Sequence, residues 1–225
     1  MKTLVIVDEQ RDFNDPCGNL YVKGGEDTIP EIAKLIKEDM SINQVIFTVD
    51  WHTSEDHSFK KNGGQWNLHC VQYSVGASLP SELLDAVLCR GFKSIDGSYR
   101  GEEPEINKFF ISNTYDVFQK GDIPDQEEYG AFGGSVEVLE TDEDVLCMMG
   151  ASGECCAYLN TKNDVIVCGL AGDYCVLETA KNLKGILEGE EGKLMMFMPG
   201  IKSIDGGTKL SEWMSEEGIG EYVRE

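Results

Sequence analysis

Residues 165–175 read Val165-Ile166-Val167-Cys168-Gly169-Leu170-Ala171-Gly172-Asp173-Tyr174-Cys175, and the order of these eleven residues decides the fold. A short β-branched run is followed by two glycines and then by polar residues, the pattern of a buried strand that ends abruptly. Cys175 to Leu187 then reads as a helix. Similar apolar runs occur at Leu4 to Val7, Val45 to Val49, Leu194 to Met198, and more weakly up to Phe118. Amphipathic stretches separate them, which predicts parallel strands joined by helical crossovers. Thr28 to Asp39 places Ile29, Ile32, Ala33, Leu35 and Ile36 on one helical face, and Ser81 to Leu88 begins just after Pro80. Gly206-Gly207 marks a turn before a C-terminal helix around Leu210 to Met214. The expected fold class is α/β: a three-layer αβα arrangement with a mainly parallel sheet of about six strands.

The chain has 225 residues, 41% of them apolar, enough for one core, so residues 1–225 are expected to form a single domain. Residues 134–162, with an acidic stretch from Glu137 to Asp144, read as an irregular surface insertion whose helix or strand state stays open. Lys and Arg number 19 against 41 Asp and Glu, a formal charge of -22. Such a surface repels phosphate backbones and anionic lipid, which argues against nucleic-acid and membrane partners. No apolar run reaches the ~20 residues of a membrane span, and the start turns polar too soon for a signal peptide. A cytoplasmic location is therefore expected. The eight cysteines lack small-scaffold spacing and fit reduced thiols, and the adjacent Cys155-Cys156 with no CxxC pair speaks against a zinc ribbon.

In an open α/β sheet, ligands gather outside the carboxyl ends of the strands. The first strand ends at Asp8, the second at Asp50-Trp51-His52, the third at Lys120-Gly121, and the fourth leads to Cys175. All three histidines, His52, His57 and His69, fall within 18 residues. Asp50-x-His52 at a strand tip points two donors the same way, and His69 could close a site from the next loop, a set suited to zinc, iron or manganese. Surface or hydrogen-bonded histidines would give the same spacing. Cys175 is equally readable as a core cysteine, unless Asp8 and Lys120 arrive beside it. A carboxylate could then take its proton while an ammonium stabilises the thiolate.

Six short motifs in one order resemble the isochorismatase-like cysteine hydrolases, and within them the nicotinamidases. Asp8-Glu9-Gln10-Arg11-Asp12-Phe13 resembles D-x-Q-x-D-F, Asp50-Trp51-His52 with His57-Ser58-Phe59 resembles D-W-H-P-x-x-H-x-S-F, and Trp66-Asn67-Leu68-His69-Cys70 resembles W-P-x-H-C. Lys120-Gly121 is similar to the K-G element, Tyr129-Gly130-Ala131-Phe132 to Y-S-A-F, and Gly169 to Val176 to G-L-A-T-D-Y-C-V. The resemblance implies a catalytic triad of Asp8, Lys120 and Cys175, with one divalent ion, zinc first and iron or manganese next, on Asp50, His52 and His69. His57 belongs to the metal in some relatives and not in others. Backbone N–H groups of Ala171 and Cys175 would form an oxyanion hole beside a cis Leu170–Ala171 peptide, and Phe13 and Trp66 would line an aromatic slot. Gly172, Thr53, Asn67 and Gly130 depart from the pattern without removing a reacting group.

The activity so implied is hydrolysis of nicotinamide to nicotinate and ammonia through a cysteine thioester, in NAD salvage, by a homo-oligomer whose partner is a small amide. Lys120 is expected to lower the thiol and carboxylate pKa values. Two other readings are another small-amide, carbamoyl or ureido hydrolase of the same fold, including one for pyrazinamide-type amides, and a non-enzymatic binding protein that keeps the fold. The intact Asp8, Lys120 and Cys175 weigh against the last.

Overall fold

The computed structural model describes residues 1–94, 114–139, 142–150 and 155–224. In chain order the main elements are β1 (Lys2–Val7), α1 (Arg11–Asn14), α2 (Thr28–Glu38), β2 (Ile42–Asp50), α3 (Ser81–Cys89), β3 (Lys93–Ser94), β4 (Thr114–Lys120), β5 (Val136–Leu139), β6 (Asp142–Met149), β7 (Cys155–Asn160), β8 (Asp164–Gly169), α4 (Cys175–Ile186), β9 (Leu194–Ile201), α5 (Thr208–Glu217) and β10 (Gly220–Glu221). Seven strands form one parallel sheet in the order β10-β9-β8-β1-β2-β4-β3. The count exceeds the expected six because β3 and β10 are two-residue edge strands, too short to carry an apolar run. Central β1 is buried from Thr3 to Val7, as its unbroken apolar sequence requires.

From β1 the chain steps through α2 to β2, whereas from β8 it steps through α4 to β9 in the opposite direction. Right-handed crossovers then place α2 and α4 on opposite faces of the sheet. The β1/β8 boundary is a topological switch point, where a crevice opens at the carboxyl ends of the strands. Ile32, Ala33, Leu35 and Ile36 of α2 and Val176, Leu177, Ala180 and Leu183 of α4 are buried in the core around Phe47 and Phe118. Each of the Ile, Leu and Val side chains among them contributes about 1.5–3 kcal/mol.

The stretch read as irregular contains instead a second, antiparallel sheet, β5-β6-β7. Met148, Ala157 and Leu159 join the main core, and Gln44 Nε2 of β2 donates to Tyr158 O at 2.5 Å. Long-range pairing makes these strands where local alternation is weak. The side chains of Cys155 and Cys156 lie outside the described residues. Among the described residues no helix is long and apolar enough to cross a membrane.

Candidate active site

Asp8, Lys120 and Cys175 arrive from the ends of three different elements. β1 stops at Val7, and the backbone turns sharply at Asp8, whose φ is 49°. Asp50 and Lys120 are register partners at the ends of β2 and β4, so both side chains leave the sheet on one side. Cys175 is the first residue of α4. Lys120 Nζ lies 2.9 Å from Asp8 Oδ2 and 3.7 Å from Cys175 Sγ, and it also bonds to Asp50 Oδ1. Thr48 Oγ1 donates to the second oxygen of Asp8 at 2.7 Å. Asp8 and Lys120 have no solvent exposure, and Cys175 has 7%.

Burial sets the resting protonation. It pushes the Asp8 carboxyl up, Lys120 pulls it back and the Asp50 charge pushes it up again, leaving it above the usual range. The Cys175 thiol likewise stands well above its ordinary value, because burial outweighs the pull of Lys120. Lys120 therefore acts in the expected direction without setting the net sign, and burial favours the neutral thiol at Cys175. Asp50 falls well below the usual range, since Lys120, His52 and His69 together overcome its burial.

One carboxylate oxygen of Asp50 and one ring nitrogen each of His52 and His69 lie within 4.8 Å of one another. His52 Nδ1 is 3.0 Å from Asp56 Oδ2 and 3.0 Å from Gly121 O, both acceptors, so Nδ1 carries a proton. His69 Nδ1 is likewise committed to Asn67 O at 2.7 Å. Both Nε2 atoms then face Asp50 Oδ2, at 3.6 and 3.7 Å. Such a donor set, oriented from behind, fits a divalent ion. Burial lowers and the Asp50 and Asp56 charges raise the His52 pKa, to about 9 on balance. His57 stands apart: its Nδ1 bonds to Pro124 O at 2.5 Å and its side chain is 40% exposed.

Several positioning groups escaped the sequence reading. Gln10 grips the end of β2, accepting from Asp50 N at 2.7 Å and donating to Asp50 O at 2.8 Å. Asp12 accepts from Cys70 N at 2.8 Å and Asn19 N at 3.0 Å, anchoring the loop that carries His69. Both lie inside the quoted D-x-Q-x-D-F motif, where a buried polar group's need for partners was the available signal. Asp56 had only its i+4 relation to His52. Glu128 accepts from Gly121 N at 3.0 Å, and Gly121 itself (φ 70°) would put a Cβ 2.6 Å from His52 Cε1.

A pocket opens over both clusters, walled by Phe13, Trp66, Tyr129, Ala171, Tyr174 and Ile204. Phe13 lies 5.4 Å from the His69 ring, and Trp66 Nε1 donates to Tyr129 OH at 3.1 Å. Leu170–Ala171 is cis. The loop after it is stitched by Gly172 N to Lys202 O and by Tyr174 N and Val176 N to Ala171 O. A β-carbon at Gly172 would lie 2.1 Å from Ser203 Oγ, which accounts for glycine in that motif position. Ile204 comes from the tail after residue 200, where the sequence carried no signal; Asp173 Oδ1 holds its N–H at 2.8 Å.

No protein-family model matches the chain. The chain is 28% identical over 207 residues to the nicotinamidase of Saccharomyces cerevisiae, covering 80% of each protein. It superposes on the structure of the yeast nicotinamidase bound to the inhibitor nicotinaldehyde with a TM-score of 0.70, at 22% identity and full coverage of both chains. A pyrazinamidase of Pyrococcus horikoshii in complex with zinc gives a TM-score of 0.65 at 24% identity, covering 99% of each. These structural likenesses carry the fold, which is the isochorismatase-like hydrolase fold expected from the motifs.

Proposed function

We infer that this chain, a member of the isochorismatase-like hydrolases, is a nicotinamidase that converts nicotinamide and water to nicotinate and ammonia. The observation that carries the reading is the contact of Lys120 with Asp8, Cys175 and Asp50 at once, beneath an aromatic pocket. That contact joins an acyl-transfer triad to the donor set at the end of one slot. The similarity to the yeast nicotinamidase across most of both chains supports the same substrate.

Asp8 takes the Cys175 proton as the sulfur attacks the carboxamide carbon. The developing oxyanion is held by the backbone N–H groups of Ala171 and Cys175. Asp8 then gives its proton to the departing ammonia, and next takes one from the water that opens the thioester. The thiol re-forms as nicotinate leaves. Lys120 stays protonated throughout, because the Asp50, Asp8 and Cys175 charges outweigh its burial. Asp50, His52 and His69 would hold a divalent ion, for which zinc fits the one-carboxylate, two-imidazole set. When bound, it supplies a Lewis-acid contact for the pyridine nitrogen, an orienting role. A cytoplasmic, homo-oligomeric enzyme belongs to the same reading, tested by fractionation and light scattering.

Metal-loaded protein mixed with nicotinamide should release ammonia and nicotinate in equal amounts. Release of ammonia only from carbamoyl or ureido compounds would replace this substrate with another. Chelation should raise KM for nicotinamide about tenfold or more, and zinc should restore it. Full activity in metal-free protein would remove the orienting role. Since His57 lies outside the donor set, His57→Ala should keep metal affinity within about threefold, whereas His69→Ala should lose 10–100-fold, both by competition with a chromogenic chelator.

A further inference from the structure

Behind the triad lies a second carboxyl that the hydrolytic scheme does not use. Glu9 directly follows Asp8, has no solvent exposure, and points away from the pocket towards the start of α2. Its Oε1 is 2.7 Å from Thr28 Oγ1, and Thr28 Oγ1 is in turn 2.6 Å from Gly25 O. A hydroxyl has one proton, and a carbonyl has none. If Glu9 were a carboxylate, the Thr28 proton would serve one of these two short contacts and leave the other as facing lone pairs. If Glu9 is the acid, Thr28 donates to Gly25 O and Glu9 donates to Thr28, so both contacts hold a proton. Asn14 Nδ2 donates to Glu9 O at 3.1 Å and approaches Glu9 Oε2 at 3.5 Å.

This knot sits against the site. A β-carbon at Gly25 would lie 3.0 Å from Phe13 O, 3.1 Å from Asn14 Cα and 3.1 Å from Leu170 Cδ1, so the glycine backs both the aromatic wall and the loop before Ala171. We propose that Glu9 is a positioning residue, held as a neutral carboxylic acid whose donated hydrogen bond to Thr28 fixes the segment from Asp8 to Phe13. Burial is the main cause pushing its pKa up, to about 8, against the Thr28 and Asn14 hydrogen bonds and with the Asp8 charge. The titratable groups that act on it are Asp8 at the end of β1 and Cys168 on β8; Asn14 of α1 and Thr28 of α2 are neutral. Ionisation would break the knot and set a second negative charge behind the catalytic base.

The proposal rests on the nicotinamidase reading for its kinetic arm only. Glutamine is neutral, and its Nε2 can donate to Thr28 while its Oε1 accepts from Asn14. In metal-loaded protein, the parent's kcat/KM should fall on the alkaline side around pH 8, and Glu9→Gln should keep kcat/KM within about twofold at pH 7 and lose that fall. Glu9→Ala should raise KM more than it lowers kcat. A Gln variant with the parent's alkaline limb would overturn the role. Two measurements stand free of turnover. The infrared carbonyl stretch of a protonated carboxyl should be present at pH 6, titrate near 8 and vanish in Glu9→Gln. A folded-state pKa raised from 4.5 to about 8 gives stability that is lost as pH rises, so the unfolding midpoint of the Gln variant should gain on the parent from pH 5 to 8. Absence of the infrared band, or a midpoint difference that does not change with pH, would overturn the neutral acid even in a chain that does not hydrolyse nicotinamide.

Discussion

Cys175→Ala should reduce turnover to below about one-thousandth of the parent rate, while fold and metal content stay intact. The sulfur is the atom that would form the thioester, and among the described cysteines Cys175 is the one 3.7 Å from Lys120 Nζ, which is itself 2.9 Å from Asp8 Oδ2. Its removal leaves the Lys120–Asp8 pair in place, so the stability change should stay within about 1 kcal/mol. Cys70 is the informative control. It is fully buried beside His69 and its thiol is pushed up by burial as that of Cys175 is, but it does not line the pocket where the amide would bind, whereas Cys175 does. Cys70→Ala should keep turnover and cost about 1–2 kcal/mol. An acid-quenched reaction should show the acyl adduct on the peptide carrying Cys175. An adduct elsewhere, or near-parental turnover by Cys175→Ala, would refute the covalent assignment.

Lys120→Met should lose both activity and stability, the second by about 3–5 kcal/mol at pH 7. A fully buried ammonium here neutralises two carboxylates, Asp8 at 2.9 Å and Asp50 in direct contact. Methionine fills the stem but supplies no charge, leaving uncompensated anions in a dry site. The pH dependence follows from Asp8. Its carboxyl is already raised by burial, and losing Lys120 removes the main effect that lowers it. A carboxyl raised in the folded state contributes stability below its unfolded pKa and loses it as pH rises through the folded one. The gap to the parent should therefore be wide at pH 8 and narrow towards pH 5, measured by denaturant unfolding. A gap under about 1 kcal/mol at pH 8 would mean that Lys120 does not bridge the two carboxylates.

Much of the architecture was legible because its signals are local. The β-branched runs of β1, β2, β8 and β9 and the apolar face of α2 declare themselves within a few residues, since burial on both faces of a strand and on one face of a helix imposes different periods. Asp8, Asp50, Lys120 and Cys175 were legible for a related reason: each directly follows an apolar run or, for Cys175, its two-glycine break, and strand ends in a parallel sheet share one edge. The rest depended on residues far apart in the chain. β5–β7 hold together by cross-strand pairing and by packing on β2 and β4, which leaves little trace in an acidic stretch. Asp56, Glu128 and Ile204 reach the site from separate loops. That one lysine serves both the triad and the donor set is a consequence of the Asp50–Lys120 register. The protonation of Asp8 and Cys175 was likewise undecidable from residue types: Lys120 alone predicts lowered pKa values, and only the tertiary structure, by removing water from all three groups, makes desolvation the larger effect.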